Sequence, residues 1–121
     1  MKNSSIITVY GIPNCDTVKR ARAWLDERGL AYQFHDYKKA GVPADQLQRW
    51  IAEFGWDKVI NRAGTTWRKL DESVKAGVTD AASAAALAQQ QPSVIKRPVV
   101  QWADEHLSLG FSPELFDKEH A

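Results

Sequence analysis

The chemistry open to this chain turns on a single cysteine. One Cys in 121 residues rules out an internal disulfide and any zinc or iron–sulfur site needing several sulfur ligands, so no metal is expected. What remains is the chemistry of a lone thiol. Cys15 follows Gly11-Ile12-Pro13-Asn14 and opens a stretch of helical periodicity. A thiol in the first helical turn faces unpaired backbone N–H groups and the positive end of the helix dipole, and both favour the thiolate. Lys19, four residues on, shares that face and leans back toward Cys15, so it is expected to assist. The alternative is that Cys15 is a small buried apolar residue, as isolated cysteines often are. A Cys-x-x-Cys pair would place its second thiol at position 18, which is Val18. A mixed disulfide on Cys15 must therefore be released by an external thiol, for which glutathione is the small-molecule candidate.

Arg97-Pro98 is the second informative feature. A proline opening a strand is often cis and exposes the preceding backbone to a ligand, and Arg97 can hold an anionic group. The plainer alternative is a strand start with a solvated arginine. Arg62, in Ile60-Asn61-Arg62, reads by position as a surface residue of a helical segment. His35 and His106 read as solvated or partnered strand residues, and His120 sits near a terminus. Lys38-Lys39 reads as a solvated turn, and Trp24, Trp50, Trp56, Trp67 and Trp102 as packing residues.

The elements that must position these residues follow from periodicity. Ile6 to Tyr10 reads as a buried strand ending at Gly11 and Pro13. Asn14 is the expected N-cap of a helix carrying Val18, Ala21 and Leu25 on one face, with Gly29 past its end. Ala31 to Tyr37 alternates as a strand, completing a β-α-β unit whose parallel strands need a right-handed crossover. Pro43 suits a first helical position ahead of the Leu47, Trp50, Ile51, Phe54 stripe, which Gly55 closes. Thr66 to Leu70 and Thr79 to Gln90 read as further helices, the second capped by Thr79 or Asp80. Val99-Val100, a turn at Ala103-Asp104-Glu105 and His106 to Leu109 read as a hairpin, and Ser112-Pro113-Glu114 starts a last helix. The order is β-α-β, a helical middle, then β-β-α.

Composition narrows the function classes. Hydrophobic residues make up 44% and charged residues 26%, as in ordinary folded domains, and the length suits one domain. Sixteen basic against fifteen acidic residues leave a net charge of +1, without the basic excess of a nucleic-acid binder. The longest apolar run, Ala84 to Ala88, is far too short to cross a bilayer, and Met1 to Ser5 adjoin no signal-peptide apolar region. The expected location is cytoplasmic, with neither membrane nor nucleic acid as a direct partner.

Taken together, Ile7-Thr8-Val9-Tyr10-Gly11-Ile12-Pro13-Asn14-Cys15-Asp16-Thr17-Val18-Lys19, Ile60-Asn61-Arg62 and Lys96-Arg97-Pro98-Val99-Val100 resemble the arsenate reductase (ArsC/Spx) family over residues 6–118. Gly64-Thr65-Thr66-Trp67-Arg68-Lys69-Leu70 and Gly110-Phe111-Ser112 are most similar to its YffB branch. The resemblance implies a single α/β domain over 1–121 with a thioredoxin-like fold. Its core, residues 6–40 and 92–118, would be a mixed four-stranded sheet in the order β-α-β … β-β-α, with an all-helical insertion, residues 41–91, between the second and third strands. It implies Cys15 as the nucleophile, Lys19 as the basic residue one turn below, and Arg62 and Arg97 as two arginines of an oxyanion site. The third arginine of the arsenate enzymes falls on Gly110, and Gly11 stands where they have a histidine. An oxyanion needs several convergent donors, so little arsenate reduction is expected.

The expected function is a glutathione-dependent monothiol reductase acting through a mixed disulfide on Cys15. Arg97, Arg62 and the backbone at Pro98, with Thr66 and Arg68, would bind glutathione, the expected reductant or cosubstrate, whose carboxylates suit arginine forks. No tightly bound cofactor is expected, and glutaredoxin or an oxidised protein thiol is a further candidate partner. The alternatives are a weak or vestigial arsenate reductase and a non-catalytic Spx-like interaction module. The two-cysteine redox switch common in Spx proteins cannot form here.

Overall fold

The computed structural model describes residues 6–120; Met1 to Ser5, with the expectation about a signal peptide, and Ala121 lie outside them. In chain order the elements are β1 (Ile7–Gly11), α1 (Asp16–Glu27), β2 (Tyr32–Asp36), α2 (Tyr37–Ala40), α3 (Ala44–Phe54), α4 (Trp56–Val59), α5 (Thr65–Arg68), α6 (Glu72–Ala76), α7 (Ala81–Gln90), a 3-10 turn (Pro92–Val94), β3 (Val99–Gln101), β4 (Leu107–Leu109) and α8 (Pro113–His120). They fall into two compact units. One comprises the chain up to Ala40 and from Arg97 onward, the other Gly41–Lys96.

The first unit is built on a mixed four-stranded sheet in the order β2-β1-β3-β4. β1 and β2 are parallel, from Ile7↔Tyr32 to Gly11↔Asp36, and parallel neighbours need a crossover, which α1 supplies. β3 returns antiparallel to β1, with Tyr10 opposite Val99, and β4 pairs antiparallel with β3. Alternation along the strands sends Ile7, Val9 and Val100 to one face. There they pack with Ala21, Trp24 and Leu25 of α1, Trp102, and Phe116 of α8. Phe116 is fully buried and meets Phe111, Trp102 and Trp24 edge-on at centroid distances of 4.7, 5.0 and 5.3 Å. The indole N–H of Trp102 donates to the Ser108 hydroxyl at 2.9 Å, so its burial leaves no orphaned donor. Ser112 and Pro113 begin α8 as their types suggest, the Ser112 hydroxyl accepting from the Leu115 N–H at 3.0 Å.

β2 stops one residue short of the strand expected from alternation. The Asp36 carboxylate accepts the Lys38 N–H at 2.8 Å, a local turn contact that competes with strand extension, and Tyr37 begins α2.

In the second unit Leu47 and Trp50 are buried on α3, with Pro43 as N-cap rather than first helical residue. Gly55, at φ 89°, ends that helix where an L side chain would be strained. Asp80 and Ser83 form a capping box on α7: the Asp80 carboxylate accepts the Ser83 N–H at 2.9 Å, and the Ser83 hydroxyl accepts the Asp80 N–H at 3.1 Å. This unit ends at Lys96, five residues beyond the boundary read from the sequence. An antiparallel bridge, Ile60↔Ile95, holds it there, with Asn61 N–H donating to Val94 O at 2.7 Å and Lys96 N–H to Val59 O at 2.8 Å. The helix expected over Thr66 to Leu70 runs Thr65–Arg68, and α2, α4 and α6 were not expected. Single turns hold too few residues to show a 3.6-residue period. Among the described residues no helix is long and apolar enough to cross a membrane.

Candidate functional site around Cys15

Gly11 ends β1 for a packing reason. A Cβ there would lie 2.9 Å from Val18 Cγ2, so any side chain would push the first turn of α1 away. After Ile12-Pro13-Asn14 the chain reaches Cys15, which is itself the N-cap of α1 at φ −136°, ψ 123°. The cap was expected one residue earlier, at Asn14, whose side-chain type suits it. It is Cys15 that has the extended backbone of a cap and whose carbonyl accepts the first helical bond, from Lys19 N–H at 2.9 Å.

The Cys15 sulfur is half-buried. Burial pushes its pKa up, but the backbone N–H of Val18, the hydrogen bond and charge of the Arg97 side chain, and the N–H of Thr17 together outweigh it. The thiol is therefore held below its ordinary value. Lys19 is not among the groups that lower it. Its side chain is exposed, and its part here is the main-chain N–H on Cys15. The cation on the sulfur comes instead from Arg97, 82 residues away in sequence. The β1–β3 pairing delivers it, because Val99 sits opposite Tyr10 and Arg97 lies just before that strand.

The Arg97–Pro98 peptide bond is cis, as expected. Pro98 is buried, and its carbonyl accepts the Gly110 N–H at 2.8 Å. Gly110, where the third arginine of the arsenate enzymes would fall, has φ 87°. Arg97 also lies near Tyr37, which sequence reasoning placed at a strand end and did not single out. Burial raises the Tyr37 hydroxyl far above its ordinary range, while the Arg97 charge works the other way. Tyr37 and Tyr10 both contact His35, at centroid distances of 6.2 and 5.1 Å.

The structure thus brings Cys15 and Arg97 together. Arg62, Thr66 and Arg68 belong to the second unit. Arg62 is exposed and lies in a turn after the Ile60 bridge rather than in a helix, its guanidinium 5.8 Å from the centroid of Trp56. Thr66 is in α5, and Arg68 ends that helix with its carbonyl accepting from Lys75 Nζ at 3.1 Å. The main-chain donors Thr17 and Val18 were legible only as a general property of helix starts. Among the described residues no group of three or more His, Cys, Asp or Glu is placed to hold a metal ion.

A cysteine capping the helix that follows the first strand of such a sheet, with an arginine on its sulfur, defines a thiol-bearing α/β protein of thioredoxin-like fold. The chain belongs to the ArsC family, whose model matches residues 10–118. It is 50% identical to a YffB protein of known structure, with a TM-score of 0.88 over 95% of this chain and 99% of that one. An arsenate reductase (ArsC) related protein from Brucella melitensis is 49% identical, with a TM-score of 0.74 over 95% of this chain and 94% of that one. The global transcriptional regulator Spx of Streptococcus mutans is 24% identical over 112 residues, 90% of this chain and 79% of the regulator.

Proposed function

We propose that the protein is an oxidoreductase of the thiol–disulfide class, a glutathione-dependent monothiol reductase. The observation that carries this reading is a lone half-buried cysteine whose anion is favoured by the N–H of Val18, by Arg97 and by the N–H of Thr17. Membership of the ArsC family supports the class. The Cys15 thiolate attacks the glutathionyl sulfur of a mixed disulfide; a Cys15–glutathione S–S bond forms, the original S–S bond breaks, and the substrate leaves as a thiolate that takes a proton from solvent. A second glutathione thiolate then attacks the glutathionyl sulfur on Cys15, forming oxidised glutathione and restoring the Cys15 thiolate. Two glutathionyl groups, one from the substrate and one from free glutathione, leave joined, and the substrate sulfur is reduced. Val18 in place of a second cysteine leaves no internal route.

Arg97 suits two tasks, favouring the thiolate and offering paired N–H groups to a glutathione carboxylate, which a lysine cannot match. In binding glutathione, the role of Arg62 rests on the family resemblance, that of the backbone at Pro98 on its place at the opening of β3, and Thr66 and Arg68 are secondary candidates. An oxidised protein thiol fits as the substrate, and glutaredoxin as an alternative thiol donor.

Mass spectrometry after incubation with oxidised glutathione, followed by a turnover assay with glutathione, tests the reading. A Cys15 adduct with turnover is expected. An adduct without turnover would favour a non-catalytic regulatory role, as in the transcriptional regulator Spx, and no adduct would overturn the proposal.

A further inference from the structure

At the end of the sheet away from Cys15, β3 runs into Trp102 and turns through Ala103-Asp104-Glu105 toward β4. His106 closes this turn. Its Nδ1 meets the Asp104 carboxylate, and its Nε2 lies 2.7 Å from Glu119 Oε1 in the last turn of α8. The Asp104 carboxylate also accepts the His106 main-chain N–H at 3.1 Å, so the turn holds it whatever the ring does. Glu119 is joined to the ring through its side chain. The imidazole stacks near-parallel on Trp102, at 14° and a centroid distance of 6.2 Å. Alongside lies a cleft of about 650 Å³ whose walls include Trp102, His106, Glu119 and His120.

An ionised carboxylate can only accept, and a neutral imidazole carries one N–H. With a carboxylate on each ring nitrogen, only the imidazolium can donate to both. We propose that His106 is a proton-operated clasp: charged, it ties the last turn of α8 to the β3–β4 turn, and neutral, it keeps Asp104 and releases Glu119, freeing that turn beside the cleft.

The titratable groups on the elements packed here are Asp104 and Glu105 of the turn and Glu114, Asp117, Lys118, Glu119 and His120 of α8; Arg28, just past α1, lies 3.8 Å from Asp117 and stays charged through the titration. The remaining cleft walls, Ile6, Ile7, Leu30, Ala31, Trp102 and Ala103, carry no charge. Burial lowers the His106 pKa, but Asp104 and Glu119 outweigh it, and the group titrates above its ordinary 6.5. A raised folded-state value means that the stabilisation is complete below the unfolded value and is lost as pH rises through the folded one. At the acid end, the Asp104 pKa is depressed by the His106 N–H and ring, so the bond that holds the ring to its own turn persists until that carboxylate protonates.

The test uses the full chain. Imidazole NMR gives the His106 midpoint, and amide hydrogen exchange in Phe116 to His120, corrected for intrinsic rates, is compared on either side of it. Protection is expected to fall about two- to fivefold on the alkaline side, the range of a partly exposed ion pair. In Glu119→Gln the step should disappear and the His106 midpoint should move down toward the ordinary value; His106→Gln should show no step. Constant protection through the titration, or a step that survives in Glu119→Gln, would overturn the clasp.

Discussion

Each end of the sheet holds a charged pair, but the two pairs are assembled in opposite ways. At the Cys15 end the sulfur meets a cation brought from Arg97 by strand pairing. At the other end Asp104 and His106 are two residues apart in one turn, and only Glu119 comes from a separate element. The first pair is half-buried and joined to main-chain N–H groups at a helix start. The second is more exposed and hangs on side chains. Chemistry at fixed geometry calls for the first kind of construction, whereas a contact that opens with proton loss calls for the second.

The contrast breaks most completely at the sulfur. Cys15→Ser should remove the glutathione adduct and bring turnover to the uncatalysed background in a coupled glutathione assay, while His106→Gln should leave turnover within about twofold, as expected of a surface change far from the chemistry. The core between the two ends comes next. Phe116→Ala removes the ring on which Trp24, Trp102 and Phe111 converge, and it should cost about 3–5 kcal/mol in denaturant unfolding. Both ends should then lose order together, since one cluster supports them.

Smaller effects sharpen the account of the cysteine. Gly11→Ala places a Cβ 2.9 Å from the stiff Val18 side chain. It should cost about 1–3 kcal/mol in thermal or denaturant unfolding, and it should raise the thiol midpoint in a pH titration of alkylation by displacing the Val18 N–H. Gly110→Arg restores an arginine type at the position the arsenate enzymes use, but at φ 87°. The expected outcome is a loss of about 1–2 kcal/mol with no gain in arsenate turnover, measured by unfolding and by a coupled arsenate assay.

How legible each part was follows from the range of the contacts. The four strands, α1, α3, α7 and α8 were readable because alternation, apolar stripes and capping residues are written over several consecutive positions; their union in one mixed sheet was implied by the family resemblance. The single-turn helices α2, α4 and α6 were not. Cys15 stood out by type and by its place after a strand and a turn, and sequence proximity nominated Lys19 as its cation. The structure gives that task to Arg97, because a helix start exposes the residue one turn on while the neighbouring strand supplies a side chain from across the sheet. Arg97 was recognised as a candidate, but its contact with the sulfur depends on the Tyr10↔Val99 register, which no local pattern states. His106 was read as a solvated or partnered strand residue. It proves to be partnered, just outside the strand, and its second carboxylate is placed by the packing of α8.

The most direct measurement is the rate of Cys15 alkylation as a function of pH in the wild type, Arg97→Ala and Lys19→Ala. The account predicts a wild-type midpoint below that of a free thiol, a clear upward shift in Arg97→Ala and little change in Lys19→Ala. A wild-type midpoint at or above the free-thiol value, or a Lys19→Ala shift as large as that of Arg97→Ala, would contradict it.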